Sequence, residues 1–516
     1  MNSEKPPFTP ADEGVLARRG LASAEAVRQL STMAHPPGFA RLDRPCTAGD
    51  GLVVLESARV DELLRAHAAA AGAGRVTVFV PASGAATRMF KDLLAALASG
   101  RALEPDEVRA AAAAGDGEAR ALLAWVEGLP RFAFRDALAA VLRARGLDLD
   151  TVRANGPWRA LLEGCLEPAG LDHARLPKAL LEFHREDAAV RTAFEEQLAE
   201  AAPLARDESG LCRLHFTVSP EHRALFETLL ARARAERERG GALRYEVGFS
   251  EQHPATDTIA ADPAGGPFRG PAGELVFRPA GHGALLRNLG ELGADLVFLK
   301  NIDNVAVARL REPTSRWSAA LVALAAELAG RAGALAARLH SAAGDGAVEE
   351  ARAFLRDELG ERQLPSSREA LLGLLERPLR VCGMVRNTGE PGGGPFWVRG
   401  EGGPVTRQVV ESVQVDPASP EQLAILRSAT HFNPVFLACS LRDRHGRPWE
   451  LDRFTDPDAV LVTRKSAFGR DLLALERPGL WNGAMARWNT IFVEVPLEVF
   501  NPVKTVLDLL RPEHQA

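Results

Sequence analysis

The chain has 516 residues, of which 46% are hydrophobic and 25% charged, and its formal net charge is −6 at pH 7. This length is enough for a large buried core spread over two or three modules. The negative net charge excludes a general nucleic-acid footprint, which needs a basic face, although a few well-placed cations are enough to hold a small anionic substrate.

The first predicted elements are helices, followed by a strand–turn–helix unit. Residues 1–70 form a predicted helical N-terminal segment, most clearly in Ala22–Leu30 and Ser57–Ala70. The run Arg75–Val80 is rich in β-branched residues and bounded by glycine and proline, which predicts a buried strand. A turn of small residues and the apolar-periodic segment Met89–Leu97 follow it. A strand, a glycine-containing turn and a helix form the opening unit of a nucleotide-binding α/β sheet.

The rest of the chain alternates helices and strands after one long insertion. Helix-forming residues dominate from about residue 95 to residue 170, which predicts a helical insertion. Short apolar strands are then predicted at Leu214–Val218, Leu243–Val247 and Asp295–Leu299, and a long amphipathic helix at Trp317–Ala342. This alternation predicts an α/β protein with a mixed sheet.

We divide the chain into three parts. The helical segment 1–70 precedes an α/β core at 71–430, and residues 431–516 complete the substrate site. The third part ends in Val499–Leu510, predicted as a turn that leads into a terminal helix. The sequence has no apolar signal core near its N-terminus, no run of about 18 apolar residues, and no C-x-x-C pair among its five cysteines. We expect a cytoplasmic protein with reduced thiols and no membrane partner.

The turn Pro81–Met89, with the sequence P-A-S-G-A-A-T-R-M, is the first candidate site. Small residues let backbone N–H groups approach a phosphate, and the N-terminus of the following helix adds a favourable dipole. Arg88 adds a bidentate phosphate donor. The alternative is a tight strand-to-helix turn with Arg88 on the surface. The residues predicted to contact a nucleotide here are Ser83, Gly84, Ala85 and Thr87.

Two later motifs are candidates for contacts to a base. Gln252 follows a predicted strand, and its side-chain amide offers a donor and an acceptor to a uracil edge. The segment Pro279–Gly283 opens a predicted helix at Ala284–Gly290 with a second glycine turn, suited to close contact with a base or ribose. Each has a structural alternative, a loop amide for Gln252 and a capping turn for Pro279–Gly283. The residues concerned in the second motif are Gly281, His282 and Gly283.

Asp303 lies in the segment Lys300–Asn304, which ends the predicted strand Asp295–Leu299. A carboxylate at the carboxyl end of a central strand lies at the edge where α/β sheets bind ligands. Mg²⁺ held by one carboxylate and by substrate phosphates is a common arrangement, so Asp303 is the predicted Mg²⁺ ligand. The alternative is an Asx turn that ends the strand.

In this order, the motifs G-x-x-T-R-M, F-x-x-Q, P-x-G-H-G and N-x-D-N resemble the UTP-dependent sugar-1-phosphate pyrophosphorylases, which make UDP-glucose and UDP-N-acetylglucosamine. Further segments are similar to elements of that family, and the resemblance covers about residues 75–510. The closest resemblance is to a bacterial family of unknown function that carries P-A-S-G-A-A-T-R-M. The further segments are Pro177–Leu181, the helix predicted after it at Thr192–Leu198, Gln408–Val415, His431–Asn433 and Phe500–Leu510.

The resemblance implies a Rossmann-like mixed sheet of the GT-A-like nucleotide-sugar transferase type. It also implies transfer of a uridylyl group from UTP to a sugar 1-phosphate, with release of pyrophosphate and with Mg²⁺ as cofactor. Arg88 and Lys178 would bind the leaving phosphates, and Lys504 would bind phosphates at the reacting centre. Gln252 and the 281–283 turn would hold the uridine. The residues implied to face the sugar are Asn304, Glu411 and Asn433.

The chain departs from the family pattern in the phosphate loop and in the spacing of its lysine. Ser83 and Ala86 stand where the family has glycine, and Ala86 adds a Cβ near the expected phosphate position. The helical insertion separates Met89 from Lys178, so Lys91 is an alternative for the lysine role. Two other functions stay open. One is a nucleotide-sugar-binding or regulatory protein without turnover, and the other is a nucleotidyltransferase that acts on a non-sugar phosphate.

Overall fold

The computed structural model describes residues 7–100, 103–186, 189–341, 345–389, 392–400 and 404–516. Helices and strands alternate along the described chain, as predicted. The helices are α1 (Pro10–Arg19), α2 (Ser23–Ala34), α3 (Ser57–Gly72), α4 (Lys91–Ala98), α5 (Pro105–Ala113), α6 (Gly117–Gly128), α7 (Arg135–Ala144), α8 (Leu149–Asn155), α9 (Arg159–Leu166), α10 (Ala193–Ala205), α11 (Arg223–Arg237), α12 (Leu286–Glu291), α13 (Arg311–His340), α14 (Asp345–Asp357), α15 (Arg368–Leu375) and α16 (Pro420–Arg427). The strands are β1 (Arg41–Pro45), β2 (Thr47–Ala48), β3 (Gly51–Val53), β4 (Val76–Pro81), β5 (Glu182–Glu186), β6 (Ala189–Thr192), β7 (Leu211–Thr217), β8 (Arg244–Ser250), β9 (Thr258–Ile259), β10 (Phe277–Arg278), β11 (Leu296–Lys300), β12 (Leu379–Arg386), β13 (Gly393–Arg399), β14 (Val405–Glu411), β15 (His431–Phe432), β16 (Phe436–Ser440), β17 (Leu461–Ala467), β18 (Arg470–Glu476) and β19 (Asn489–Glu494).

A mixed ten-stranded sheet forms the centre of the fold. Its strand order is β2-β3-β19-β12-β16-β11-β4-β7-β8, and β15 pairs with β12 beside this path. Strand β16 runs antiparallel to both of its neighbours, β11 and β12. The other neighbours along the path are parallel. This sheet confirms the predicted α/β class. It also brings the carboxyl ends of β4, β7, β8 and β11 to one edge, where such sheets bind ligands.

Side-chain alternation divides the apolar residues of the strands between the two faces of the sheet. In β11, Leu296 and Phe298 belong to the larger core cluster, whereas Val297 and Leu299 belong to the second. Helices α10 and α13 cover the first face, and α12 packs into the cluster on the second. Because both faces are covered, the central strands are continuous apolar runs rather than alternating polar and apolar sequences.

Helix α13 is the central helix of the larger face. It packs against α3 and against the strands β11, β12 and β16. Within the described chain, the segment Ala308–His340 is the one helical stretch long and apolar enough to cross a membrane by length and composition, and 61% of its apolar window is buried inside the protein. A core helix has the same composition, and these contacts identify α13 as one.

The predicted helical insertion is confirmed by α5 to α9, which follow α4 and precede β5. Its large side chains, among them Trp125, Phe134 and Trp158, are buried in the same cluster as the face of β4. Helix α6 contacts the C-terminal turn Val506–Leu510, and a Cβ added to Gly128 would lie 2.5 Å from the Leu510 side chain. The insertion therefore supports the chain's last residues from one side.

The N-terminal segment is only partly helical. Helices α2 and α3 confirm the predictions at Ala22–Leu30 and Ser57–Ala70, but β1, β2 and β3 lie between them at residues 41–53, where the prediction of helix is wrong. These strands have two to five residues, too few for a periodic pattern to distinguish. Residues 1–6 lie outside the described chain. β3 pairs with β19 in the central sheet, so the N-terminal segment contributes a strand to that sheet. The three-part division of the chain stays a prediction.

The ends of two predicted helices also differ from the sequence-based boundaries. The segment Val499–Leu510 has no α-helix. It contains a 3₁₀ turn at Val506–Leu510, which begins with reciprocal hydrogen bonds between Thr505 and Asp508. Helix α13 ends at His340, and Ala342, the predicted last residue of that helix, lies outside the described residues.

Candidate functional site

The Pro81–Met89 segment leaves the carboxyl end of β4 and is open to solvent on one side. A Cβ placed on Gly84 would meet no atom within 4 Å. Ala86 is 0% exposed and belongs to the larger core cluster, so its methyl group packs away from the open side of the loop. The alanine therefore leaves the exposed backbone accessible to a phosphate. The exposed residues of this loop are Ser83, Gly84, Ala85, Thr87 and Arg88.

The chain returns from the helical insertion directly to this loop. Ala85 and Pro177 form an antiparallel bridge, and the Lys178 backbone N–H donates to the Gly84 carbonyl over 3.1 Å. The insertion lengthens the chain between the two motifs without separating them in space. Lys91 is exposed on α4 and has no described contact with this bridge. The geometry thus places Lys178 beside the Pro81–Met89 loop.

Lys178, Asp303 and Lys504 form a charged group that we name the Lys–Asp–Lys centre. Lys178 Nζ donates to Asp303 Oδ2 over 2.8 Å, and Lys504 Nζ lies 3.6 Å from the same oxygen. Lys178 Nζ also donates to the Val503 carbonyl over 2.7 Å, and the Val503 N–H donates to the Asp303 carbonyl over 2.9 Å. Three distant segments of the sequence therefore meet at the carboxyl end of β11.

The Asp303 carboxylate is buried but remains ionised. It is 7% exposed, and burial alone would raise the pKa of the carboxyl. The ammonium groups of Lys504 and Lys178 outweigh burial and hold the pKa of Asp303 below its ordinary value. Two ammonium groups against one carboxylate leave the centre with an excess positive charge, which suits an anionic ligand.

Asn304 holds the segment that carries Lys504. Asn304 is 1% exposed. Its Oδ1 accepts the Asn501 N–H over 2.8 Å, and its Nδ2 donates to the Val499 carbonyl over 3.2 Å. These bonds give Asn304 a positioning role, because they fix the chain just before Lys504. Its contact with a sugar stays a prediction.

One face of α10 supports the end of β11. Gln197 Nε2 donates to the Asn301 carbonyl over 3.0 Å and to the Ile302 carbonyl over 3.3 Å. The side chains of Glu200 and Lys300 form an ion pair in which they are 6% and 3% exposed. Sequence reasoning missed both α10 residues. The available signal was their spacing of three, which places two polar side chains on one face of the helix.

The carboxyl end of β8 carries a polar cluster that sequence reasoning also missed. His215 Nε2 lies 2.7 Å from Ser250 Oγ, and Asn288 Nδ2 donates to the same hydroxyl and to the next backbone carbonyl, both over 2.8 Å. The Asn288 Oδ1 is buried without a hydrogen-bond partner in the described chain. Beside it, Gln252 Nε2 donates to Asp257 Oδ1 over 2.9 Å. The side-chain carbonyl oxygen of Gln252 takes no part in that hydrogen bond.

The second glycine turn packs against the segment that follows β18. The φ of Gly281 is +73°, a backbone conformation that favours glycine, and a Cβ on Gly283 would lie 2.1 Å from the Pro478 carbonyl oxygen. Both glycines are therefore explained without a ligand, by backbone conformation at Gly281 and by packing at Gly283. The His282 ring stacks on Trp481 with 4.0 Å between ring centroids. Burial lowers the pKa of His282 to about 4, so the ring is neutral at pH 7. The nucleotide contacts assigned to this turn stay predictions.

The other two residues assigned to the sugar are Glu411, the last residue of β14, and Asn433, which lies between β15 and β16. Asn433 is 3% exposed, and its N–H donates to the Gly393 carbonyl over 2.8 Å. Burial raises the pKa of the Glu411 carboxyl, while hydrogen bonds from Trp481 and Asn482 act in the opposite sense. The Trp481–Asn482 turn therefore joins the glycine turn to Glu411. The sequence assigned no ligand role to this turn.

The last residues of the chain pack beside the loop that follows Asp303. The Val307 N–H donates to the Glu513 carbonyl over 3.2 Å. His514 is 2% exposed, and its Nδ1 lies 2.9 Å from His184 Nε2. Burial, together with the charges of neighbouring groups, lowers the pKa of His514 from 6.5 to about 3. His514 is therefore neutral in the folded protein at any pH above its lowered pKa.

We expect acidification from pH 7 to pH 5 to destabilise the wild-type protein relative to His514→Gln by about 2 kcal/mol. Below pH 6.5 the unfolded chain takes up a proton at His514 that the folded chain does not, so stability falls as the pH falls. Urea unfolding at both pH values measures the difference. His445→Gln, at an exposed position, should keep the wild-type pH dependence. Equal pH dependence in the wild type and His514→Gln would contradict this expectation.

The fold and the site together define an α/β protein with an open small-residue loop and a cationic centre at the carboxyl ends of its parallel strands, an arrangement typical of proteins that bind phosphorylated ligands. The chain belongs to the family described as "Domain of unknown function (DUF4301)", whose sequence model matches residues 9–515. No curated protein matches the chain significantly.

Several solved structures are similar to this chain. The UDP-N-acetylglucosamine pyrophosphorylase from Trypanosoma brucei, in complex with an inhibitor, has a TM-score of 0.49 and 14% identity, covering 98% of this chain and 79% of its own. A mutant UDP-glucose pyrophosphorylase from Leishmania major, in complex with UDP-glucose, has a TM-score of 0.42 and 14% identity, with the same coverage of 98% and 79%. A putative UDP-N-acetylglucosamine pyrophosphorylase from Entamoeba histolytica has a TM-score of 0.42 and 10% identity, covering 88% and 82%.

Proposed function

We propose that the protein is a nucleotidyltransferase that transfers a uridylyl group from UTP to a sugar 1-phosphate and releases pyrophosphate. The observation that carries this proposal is the Lys–Asp–Lys centre beside the exposed phosphate loop, at the carboxyl ends of β4 and β11. Its excess positive charge lies where a triphosphate would meet the loop. The order of the sequence motifs supports the uridine and sugar parts of the proposal.

The proposed reaction depends on positioning and charge neutralisation rather than on a covalent nucleophile. A phosphate oxygen of the sugar 1-phosphate attacks the α-phosphorus of UTP and forms a new P–O bond. The bond from the α-phosphorus to the bridging oxygen breaks, and its electron pair leaves with pyrophosphate. Arg88 and Lys178 hold the leaving phosphates, and Lys504 offsets charge that builds up at the reacting centre.

The remaining assignments concern the residues that bind the uridine and the sugar of the product. Gln252 and the Gly281–Gly283 turn hold the uridine, for which the Gln252 carbonyl oxygen and one amide hydrogen outside the Asp257 bond are available. Glu411 and Asn433 face the sugar. Both regions border the Trp481–Asn482 turn, since His282 stacks on its indole and Glu411 accepts hydrogen bonds from it.

Mg²⁺ is part of this proposal, with Asp303 as its protein ligand. Among the described residues, no group of three or more His, Cys, Asp and Glu side chains is placed to hold a metal ion. A single carboxylate fits a Mg²⁺ ion that takes its other ligands from substrate phosphates and water. When bound, the ion would neutralise phosphate charge. Because Asp303 already pairs with two ammonium groups, metal affinity should depend on the nucleotide's presence.

A pyrophosphate-release assay tests the proposed function. The purified chain is incubated with each of the four NTPs, Mg²⁺ and a panel of sugar 1-phosphates, and pyrophosphate is measured. Release with UTP and at least one sugar 1-phosphate supports the proposal. Release only with a phosphate acceptor that is not a sugar would identify the alternative transferase. Binding of a UDP-sugar without release from any pair would identify a nucleotide-sugar-binding protein.

We expect UTP to bind more tightly than ATP, GTP or CTP. Gln252 offers both hydrogen-bonding groups of an amide to a pyrimidine edge, and a purine base should crowd the turn whose Gly283 already packs against the Pro478 carbonyl. Calorimetry with the four triphosphates checks the order of affinities. ATP or GTP binding at least as tightly as UTP would reject the uridine assignment.

A further inference from the structure

A cavity of about 710 Å³ lies at the opposite edge of the sheet from the Lys–Asp–Lys centre. Its lining includes Leu379, the first residue of β12, and Ser440, the last residue of β16. Ser440 pairs with Leu379 and with Leu296, at the start of β11. Lys300 is the last residue of β11, and Asp303 of the Lys–Asp–Lys centre follows it by three residues. Because five strand residues span about 13 Å, the cavity is separate from the candidate active site.

Arginine dominates the charged lining of this cavity. Five arginines line it, against three carboxylates. Each carboxylate already has an arginine partner, so none is left over to neutralise a further guanidinium. The partners are Glu376 for Arg444, Asp443 for Arg447 and Glu450 for Arg453, while Arg442 donates to the Gly293 and Gly446 carbonyls.

Arg377 is the fifth arginine. Like Arg442 it has no carboxylate partner among the described residues, but neither terminal nitrogen of its guanidinium has a hydrogen bond there, whereas both of those of Arg442 do. The Arg377 Nε donates to the Gly373 carbonyl over 3.0 Å, and no carboxylate of the described chain lies within 4.0 Å of its guanidinium. The side chain is half-buried. Burial lowers the pKa of Arg377, and the charge of Arg487 acts in the same direction. The carboxylate of Glu361 opposes this effect. Because a guanidinium stays protonated in proteins, this poorly solvated charge would be stabilised by an anion.

We propose that this cavity binds a phosphorylated small molecule whose organic part carries hydroxyl groups, with Arg377 as the main phosphate contact. A guanidinium binds a phosphate in bidentate fashion, which a carboxylate-paired arginine does less freely. The volume is that of sites for small organic ligands, far larger than a bare phosphate needs. The paired carboxylates and the Ser440 hydroxyl can accept hydrogen bonds from ligand hydroxyl groups.

Binding of glucose 6-phosphate to the full chain, measured by calorimetry, tests this site. The 6-phosphate is chosen because it is not the acceptor of the proposed reaction, so the two proposals can fail separately. We expect Arg377→Gln to weaken binding at least tenfold and Arg453→Gln, whose guanidinium is paired and exposed, to weaken it about threefold. Arg453 is exposed at the rim, with 74% of its side chain accessible, so its replacement tests the site even if Arg377→Gln folds poorly. Inorganic phosphate should bind at least tenfold more weakly than glucose 6-phosphate.

Two control variants separate the cavity from other sites. Arg28→Gln removes an exposed arginine that also has one carboxylate partner three residues away, and Lys178→Met removes a cation of the candidate active site. Both should keep the wild-type affinity for glucose 6-phosphate. The proposal is overturned if the wild type shows no binding at millimolar concentration, or if Lys178→Met abolishes binding while both cavity variants retain it. Equal affinity for inorganic phosphate would overturn the hydroxyl-recognition part.

Discussion

Replacing Lys504 by methionine is expected to lower kcat by about 10²–10³, the loss typical of removing one preorganised donor to a developing charge. The Lys504 ammonium lies 3.6 Å from Asp303 Oδ2, and 46% of its side chain is exposed, so the group is free to meet a phosphate. Its interaction strengthens as charge builds up during attack on the α-phosphorus, which lowers the rate more than the affinity. Methionine keeps the alkyl stem and removes only the charge.

The experiment measures turnover and UDP-sugar affinity on the same preparation of Lys504→Met. Lys91→Met is the matched control, because Lys91 is an exposed lysine close in sequence to the phosphate loop and outside the Lys–Asp–Lys centre. A large loss of turnover with retained UDP-sugar affinity, seen in Lys504→Met and not in Lys91→Met, supports the proposal that the protein is an enzyme. If Lys504→Met changes neither quantity, the assignment of the C-terminal motif is wrong. A loss of turnover in Lys91→Met would instead favour Lys91 over Lys178 as the lysine that binds the leaving phosphates.

The strands and the insertion could be predicted because their signals are local. β4 and β11 are buried on both sides of the sheet, so each is a short apolar run between polar residues or turns. The insertion consists of consecutive helices whose periodicity can be recognised without knowing what they contact. The strands at residues 41–53 lacked such a signal, since their pairing with β13 and β19 lies far away in the sequence.

The assembly of the site could not be predicted from spacing. Lys178 and Asp303 are separated by 125 residues, and Asn304 and the Asn501 backbone by 197. The sequence suggested which residue types bind phosphate, but it left Lys91 and Lys178 as alternatives. The bridge between Ala85 and Pro177 favours Lys178, because it brings the end of the insertion back to the loop, but the role itself stays a prediction.

The same distance in sequence explains why the positioning role of Asn304 could not be predicted. The resemblance implied a sugar contact for Asn304, which stays a prediction. The structure shows both of its polar groups bound to the 499–501 backbone. A residue that positions another segment cannot be recognised before that segment's place is known.

Asp303→Asn is expected to abolish Mg²⁺-dependent turnover while the protein stays folded. The change keeps the volume of the side chain and removes the charge that a hard cation needs. The Asn Oδ1 can still accept from Lys178, and Lys504 is 46% exposed to water. We therefore expect a loss of unfolding free energy below the ~3–5 kcal/mol that follows when a buried pair loses one partner. Thermal unfolding and pyrophosphate release, measured on one preparation, separate the two effects.

Asp12→Asn is the matched control for this experiment. The Asp12 side chain is 7% exposed and pairs with Arg269 over 2.7 Å, and neither residue belongs to the Lys–Asp–Lys centre. Losing that pair should lower stability while leaving turnover close to the wild-type rate. If Asp303→Asn keeps a near-normal rate at saturating Mg²⁺, Asp303 only fixes the two lysines and binds no metal. If both variants lose activity in proportion to their loss of stability, the decline reports unfolding, and the role of Asp303 in the reaction is rejected.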